Sequence, residues 1–361
     1  MSRVVINVSM FGKNLTGLGM FASSCLKALS SRRDVFGIGP LAEKYSIPLL
    51  KKSPRSIEIG SGKFASVLRA LWINLTPIPK KDLLFVPTHH GRIFRRNQIV
   101  VVHDVICLVF PRQHPLQYLY FRFILPLILA RCLVILAVSN KTKEDIVSYY
   151  GIDCNRIKVL YNTFSPPFLI AADTGPSTKL KEPKFLLAVG AKYPHKNIHE
   201  ILEFSAVWKD DYILKIVSAG GAYKTQLTQL IKELQLERSV EICEYVSQEK
   251  LDLLYIDCSA LVYPSKYEGF GIPSLEALSR RKPVIVSDIP VHREILEDAA
   301  IYVTLGDEQS WKNAFERLTA FEFDQHQYCN VAHLFEKYSQ ANFSMNLSDI
   351  LTSAGFSPSK V

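Results

Sequence analysis

The sequence predicts an α/β protein made of two doubly wound parallel-sheet domains in tandem. Three observations predict it. The 361 residues exceed the ~100 to 200 usual for one domain. Short β-branched runs alternate with helix-patterned segments, and this alternation occurs twice. A stretch dense in chain breakers, SPPFLIAADTGPSTKLKEP, separates the two series. Strands separated by helices build a mostly parallel sheet with helices on both faces. The expected division is a first domain at 1–165, a linker at 166–183, a second domain at 184–335, and a helical segment at 336–361 that packs back on the first domain.

The chain opens with VVINV at 4–8. Asn7 and Ser9 interrupt this apolar run and no cleavage site follows, so it reads as a first strand and not as a signal peptide. A helix is expected at 19–30, then strands at 83–86, 99–102, 133–138 and 157–160. The pattern restarts with a strand at 185–190, a helix at 198–208, a strand at 213–220 and a helix at 225–234. A strand at 240–243, a helix at 248–257, a strand at 260–265, a helix opening at Pro273 and a strand at 284–287 complete it, and 342–353 is helical. Ligands of such sheets bind beyond the carboxyl ends of the strands, so two facing domains are expected to take a substrate in the cleft between them.

Composition bounds the function. With 48% hydrophobic and 21% charged residues, the chain is neither disordered, collagen-like nor a coiled coil. Its longest charge-free run has fourteen residues and contains Asn162, Pro166 and Pro167, short of the roughly 18 apolar residues of a spanning helix. Seven cysteines form no CxxC, which fits a reducing cytosol. Residues 1–180 hold 24 Lys and Arg against 9 Asp and Glu, whereas 181–361 hold 19 against 25. A basic half of +15 suits an anionic surface: nucleic acid, anionic lipid or a phosphorylated substrate. Two segments mix apolar and basic residues. LQYLYFRFILPLILARCLVILAVS is broken by Arg122, Pro126 and Arg131 and reads as a buried helix followed by a core strand rather than a membrane insertion. KFASVLRALWINL, followed by Lys80 and Lys81, has the make-up of an interfacial helix. Arg92, Arg95 and Arg96 read as a solvated loop.

The sharpest motif is YPSKYEGFGIPSLEALSRRKPVIVSD, in which Glu268 stands in a glycine-bounded loop after a strand and Glu276 on the helix that Pro273 opens. Gly269 and Gly271 let the backbone approach a ligand closely, and Pro273 suits a first helical turn whose N-terminus faces an anion. A carboxylate accepts hydrogen bonds from the paired hydroxyls of a ribose or hexose. By pattern alone, a plain strand, turn and helix with Glu276 solvated remains an equal reading.

This segment resembles the Glu-x7-Glu motif of retaining glycosyltransferases of the two-domain GT-B type, glycosyltransferase family 4, in its mannosyltransferase-like branch. Further pieces resemble it in order. VGAKYPHKN is similar to the loop whose Arg-Lys-Asn pattern holds the donor diphosphate, with His195 in place of Arg and Lys196 and Asn197 retained. EYVSQEKLDLLY, with Tyr245 and Val246, resembles the element whose main chain holds the base; TGLGMF, with Gly17 and Gly19, resembles the glycine loop after the first strand; and VVVHDVI resembles the strand-end His-Asp segment. AVSNKTKEDI and VLYN also match, and the resemblance covers residues 1–335 or so.

The resemblance implies a GT-B fold of two Rossmann-like domains and transfer of a hexose from a nucleotide-diphosphate sugar, with a lean to GDP-mannose, onto a lipid-linked or saccharide acceptor at the cytoplasmic membrane face. It implies that Glu276 bonds the ribose, Glu268 the transferred sugar and Lys196 the departing diphosphate. The amides of Phe270, Gly271, Ile272 and Leu275 would lie near the sugar and phosphates, His103 would contact the sugar, and Gly17 and Gly19 would admit diphosphate and acceptor. The plain alternative for His103 is a satisfied histidine at a strand end. No Asp-x-Asp occurs in the sequence, so no divalent metal or other cofactor is expected. No general base is nominated, and Asp104 is a candidate for positioning only. The basic domain is expected to rest on an anionic membrane surface, and no nucleic-acid partner is expected. Gly17-x-Gly19-x-x-Ala22 lies too far from Val8 for NAD, and His195 with His199 lacks a third ligand for zinc. The competing class is a non-catalytic binder of anionic lipid or nucleic acid on an inactive scaffold; a nucleotide-sugar oxidoreductase or epimerase is third and would require NAD.

Overall fold

The computed structural model describes residues 3–11, 17–58, 65–164, 184–244, 246–320 and 325–357. The chain divides into two units: one runs to Thr163 and resumes at Tyr338, and the other spans Phe164–Lys337. The linker expected at 166–183 lies outside the described residues.

The first unit carries a seven-stranded sheet, β1 (Val4–Asn7), β2 (Val35–Ile38), β3 (Leu49–Lys51), β4 (Leu83–Val86), β5 (Gln98–Val102), β6 (Val134–Ala137) and β7 (Ile157–Val159), in the order β3-β2-β1-β4-β5-β6-β7. The second carries β8 (Phe185–Val189), β9 (Ile213–Val217), β10 (Val240–Cys243), β11 (Ala260–Tyr263), β12 (Val284–Ser287) and β13 (Ile301–Val303), in the order β10-β9-β8-β11-β12-β13. All pairs are parallel. Helices cover both faces of such sheets, so central strands read as continuous apolar runs. Accordingly β1, β4, β5, β8, β11 and β12 are buried along their whole length. Each order reverses once, between β1 and β4 and between β8 and β11, and a crevice opens at that switch point beyond the strand ends.

The helix Gln340–Ser353 belongs to the first unit. Phe343 meets Phe21 edge-on at 5.4 Å, Gln340 Nε2 donates to the Ser24 carbonyl at 3.0 Å, and Leu347 and Leu351 are buried.

Three expectations need correction. The helix expected over 198–208 ends at Glu203, and a 3-10 turn follows at Ser205–Val207. Buried Trp208 donates Nε1 to the Ile201 carbonyl at 2.8 Å, taking an acceptor the helix would need to continue. The segment read as a buried helix is only half-buried: Leu116, Leu119, Phe123 and Leu127 are exposed. It runs as helix Pro115–Leu119, a π turn Tyr120–Ile124 and helix Leu125–Leu129. Pro126 supplies no N–H to the preceding turn, and the Leu125 N–H instead closes a wider loop onto the Tyr120 carbonyl. Finally, Arg92 and Arg95 are not a solvated cluster. Arg95 is buried and donates to the carbonyls of Ile78, Pro79 and Asp82, and Arg92 donates to those of Asn74 and Thr76. Arg96 alone of the three is exposed. Among the described residues, no helix is long and apolar enough to cross a membrane.

Candidate active site

The switch point of the second sheet brings the predicted charged residues together. β8 leads into the 3-10 turn Pro194–Lys196, and its neighbour β11 leads into the loop carrying Glu268. Two side chains 72 positions apart therefore meet: Lys196 Nζ donates to Glu268 Oε1 at 2.5 Å and to Tyr263 Oη at 2.9 Å. Burial favours the neutral form of each, but their mutual attraction outweighs it. It draws the Glu268 carboxyl down to about 2 and holds the Lys196 ammonium above its usual range. Burial raises the Tyr263 phenol, which stays protonated beside them.

The turn from this loop into the helix Ile272–Leu278 depends on Gly271, whose φ of 94° is a left-handed conformation. A side chain there would also stand 3.5 Å from the His292 ring. Phe270 and Leu275 are buried beneath the turn, Gly269 and Ile272 are half-buried at its surface, and the Ser274 hydroxyl is enclosed without a partner. On the same helix, Glu276 Oε2 accepts from Tyr255 Oη at 2.7 Å. Burial raises the Glu276 carboxyl above the ordinary range, against the pull of Tyr255 and Arg280. Glu276 therefore takes up a proton more readily than Glu268, although both are carboxylates of one motif.

The other predicted donor contacts are placed differently. Asn197 has a left-handed backbone, φ 60°, which asparagine tolerates. Its side chain turns inward and donates Nδ2 to Glu200 Oε2 at 2.6 Å, so it shapes the loop and does not project into solvent. Glu200 also accepts from the Gly306 amide and Trp311 Nε1, both at 2.9 Å, which fastens the loop to the unit's core. His195 is buried and stacks on Tyr193, centroids 5.7 Å apart. Val246 is half-buried between β10 and the helix Gln248–Asp257, whose first turn Ser247 caps; Tyr245 lies outside the described residues.

Gly17, Gly19 and His103 belong to the first unit. Both glycines lie in the opening turn of the helix Gly17–Leu29, two residues earlier than expected, with open space around Gly17. His103 follows β5, donates Nε2 to the Pro87 carbonyl at 2.9 Å and packs edge-on against Phe21. Burial pushes its pKa down to about 4, so the ring is neutral near pH 7 with Nδ1 as its acceptor. Asp104 Oδ1 accepts from the Ile106 amide at 3.0 Å.

Sequence reading missed three residues of the second unit's site. Tyr263 ends β11 and opens the quoted motif. Tyr255 lies on the preceding helix. His292 had no local signal, because it arrives from the next strand-helix unit. It donates Nδ1 to the Ser287 carbonyl at 3.0 Å, which leaves Nε2 a buried acceptor without a partner beside Gly271. Such an atom is ready for a ligand hydroxyl.

Comparison with known proteins places this geometry. The family model of glycosyl transferases group 1 matches residues 172–339. The O-antigen chain mannosyltransferase RfbU of Salmonella typhimurium is 35% identical over 329 residues, 87% of this chain and 90% of that protein. The O-antigen chain mannosyltransferase B of Escherichia coli is 26% identical over 219 residues, 58% of each. Among solved structures, Anabaena HepE in complex with UDP and glucose superposes with a TM-score of 0.68 at 17% identity, over 98% of this chain and all of that one. WaaG, a glycosyltransferase involved in lipopolysaccharide biosynthesis, gives 0.64 at 14% over 97% and 99%. The two parallel-sheet units are thus those of a GT-B fold, and by its long match to a mannosyltransferase the chain belongs to the group 1 family of glycosyl transferases.

Proposed function

We propose that this enzyme moves a hexose, mannose from GDP-mannose, onto a lipid-linked or polysaccharide acceptor at the cytoplasmic face of a membrane, with retention at the anomeric carbon and without a metal ion. The observation that carries the reading is the Lys196 ammonium fixed by Glu268 and Tyr263 at the switch point of the second sheet. Glycosyl transfer breaks the bond between the sugar's anomeric carbon and a phosphate oxygen, so positive charge grows on the carbon and negative charge on the diphosphate. Lys196 meets that negative charge, and since no Asp-x-Asp pair is available, the cation's work falls to it. Glu268 accepts from hydroxyls of the transferred sugar and Glu276 from those of the ribose. The new bond joins the acceptor oxygen to the anomeric carbon, and the acceptor's proton passes to the departing phosphate oxygen on the same face of the sugar. The mannosyltransferase relatives support the choice of sugar and the polysaccharide context.

The test is turnover. Purified enzyme in EDTA is incubated with GDP-mannose and a polyprenyl-diphosphate saccharide, and the product's anomeric configuration is read by NMR. An α-linked product supports retention, since the mannose of GDP-mannose is α. A β product overturns it, and a requirement for divalent metal overturns the metal-free reading. A chain that binds lipid but turns over no nucleotide sugar is the non-catalytic alternative.

A further inference from the structure

On either side of Gly271, in the turn that leads from Glu268 into the helix Ile272–Leu278, two buried polar atoms have no partner among the described residues: His292 Nε2 and Ser274 Oγ. Both side chains are enclosed, His292 at 0% exposure. The Ser274 amide donates to the Gly271 carbonyl at 3.1 Å, and the His292 ring lies on the side where glycine has no Cβ. A Cβ built there would meet His292 Cδ2 at 3.5 Å, Nε2 at 3.6 Å and Tyr263 Cε1 at 4.0 Å, which are ordinary van der Waals separations. The glycine therefore leaves room for one small group against the ring edge that carries Nε2. The same place adjoins the ion pair, since the Tyr263 ring lies 5.7 Å from that of His292 and its hydroxyl accepts from Lys196.

The other side of the ring settles its protonation. Nδ1 faces two oxygens, the Ser287 carbonyl at 3.0 Å and Ser287 Oγ at 3.3 Å. Ser287 spends its own hydroxyl proton on the Ser265 carbonyl at 2.5 Å, so both oxygens can only accept and Nδ1 carries the hydrogen. Burial lowers the His292 pKa, so the ring holds a single proton near pH 7. Nε2 is thus fixed as an acceptor. A buried acceptor left unpaired costs free energy, and the group that completes it must donate. In a nucleotide-diphosphate hexose held by Lys196 at its phosphates and Glu268 at its sugar, the donors at that end are the hexose hydroxyls, because phosphate oxygens only accept.

We propose that one hydroxyl of the transferred hexose donates to His292 Nε2, and that His292 is thereby a specificity-determining residue that makes this hydroxyl a requirement of the donor. The assignment rests on the hexosyl transfer set out above and adds a second acceptor to Glu268. The two acceptors differ in kind. Glu268 is charged and already held by Lys196, whereas Nε2 is neutral, offers one lone pair and has no protein partner among the described residues. A sugar lacking the hydroxyl at that position leaves Nε2 orphaned, so the buried atom itself discriminates.

The experiment is calorimetric titration of the full chain with GDP, GDP-mannose and its monodeoxy forms, which lack in turn the 2-, 3-, 4- and 6-hydroxyl. Affinity is read rather than rate, because loss of a hydroxyl also changes the reactivity of the anomeric carbon. In wild type, the deoxy form that lacks the His292-bound hydroxyl is expected to bind ~10- to 100-fold more weakly than GDP-mannose. His292→Asn keeps a donor for the Ser287 carbonyl and places nothing at Nε2, whereas His292→Phe keeps a ring without nitrogens. Both variants are expected to bind GDP-mannose more weakly by that same factor, to lose the penalty at that one hydroxyl, and to keep the other penalties and the affinity for GDP. Agreement between a smaller and a larger side chain separates the lost acceptor from a disturbed turn, and melting temperature checks the fold. Penalties unchanged at every hydroxyl in both variants, or GDP affinity lost in step with that for GDP-mannose, overturn the assignment and show that His292 only props the turn. If wild type binds another nucleotide hexose and not GDP-mannose, the choice of mannose fails, and the deoxy forms of that hexose decide His292 by the same comparison. Binding of no nucleotide hexose overturns both.

Discussion

Lys196 and Glu268 hold one another ionised, and each is costly to bury without the other. Because the folded pKa of Glu268 is depressed to about 2, the pair contributes stability above the ordinary carboxylate range and loses it as pH falls toward that value. Removing one partner leaves a buried charge, so Lys196→Ala is expected to cost ~3 kcal/mol and to raise the Glu268 pKa in an NMR titration. An unchanged Glu268 titration would show that the ion pair does not set its charge. Glu276 runs the other way: its pKa is raised by burial, so it gains a proton while the pH is still above the usual range for glutamate. Donor affinity is therefore expected to decline as pH falls through that raised value, and Glu276→Gln is expected to flatten the profile. A profile identical in the variant would assign the titration elsewhere. The two glutamates and Lys196 were legible from sequence because Glu268 and Glu276 share one strand-loop-helix segment of characteristic spacing and Lys196 sits in the turn after β8. Their opposite titration was not, because it depends on Tyr255, Tyr263 and the surrounding burial.

At the scale of elements, legibility followed continuity of the apolar run. β4 and β12 stand where sequence places them, each bounded by breakers or charge. β2, β3 and β13 were not anticipated. They are three or four residues long and toward the sheet edges, where partial exposure dilutes the apolar pattern. The break at Phe204 was invisible because a tryptophan's hydrogen bond causes it, not a glycine or proline. The turn into the helix Ile272–Leu278 gives the element-scale prediction. Gly271→Ala places a Cβ at φ 94° and against His292, and is expected to lower stability by ~1 to 3 kcal/mol in denaturant titration. Donor affinity should fall with it, since the strain is relieved only by moving the loop that carries Glu268. A change within ~0.3 kcal/mol would show that the turn is not conformationally demanding.

For the whole molecule, the net charge is a coarse signal. The first half is basic, yet several of its arginines tie loops together from inside, and sequence cannot tell an internal guanidinium from a surface one. The final helix is similar: its composition reads as helical, whereas its place beside Phe21 in the first unit is a tertiary fact. Deleting 338–361 would expose Phe21 and its neighbours, so the truncated chain is expected to melt earlier or aggregate; an unchanged melting temperature would show that the helix contributes no stability. The central claim is a nucleotide-sugar site at the switch point of the second sheet, and thermal shift tests it most directly. GDP-mannose, UDP-glucose, UDP-galactose, UDP-N-acetylglucosamine and dTDP-rhamnose are compared with the free diphosphates for wild type and Glu276→Ala. A ligand that binds only the folded chain raises its melting temperature by mass action. The account predicts a rise with GDP-mannose and GDP that Glu276→Ala abolishes; no rise with any nucleotide, or an equal rise in the variant, would contradict it.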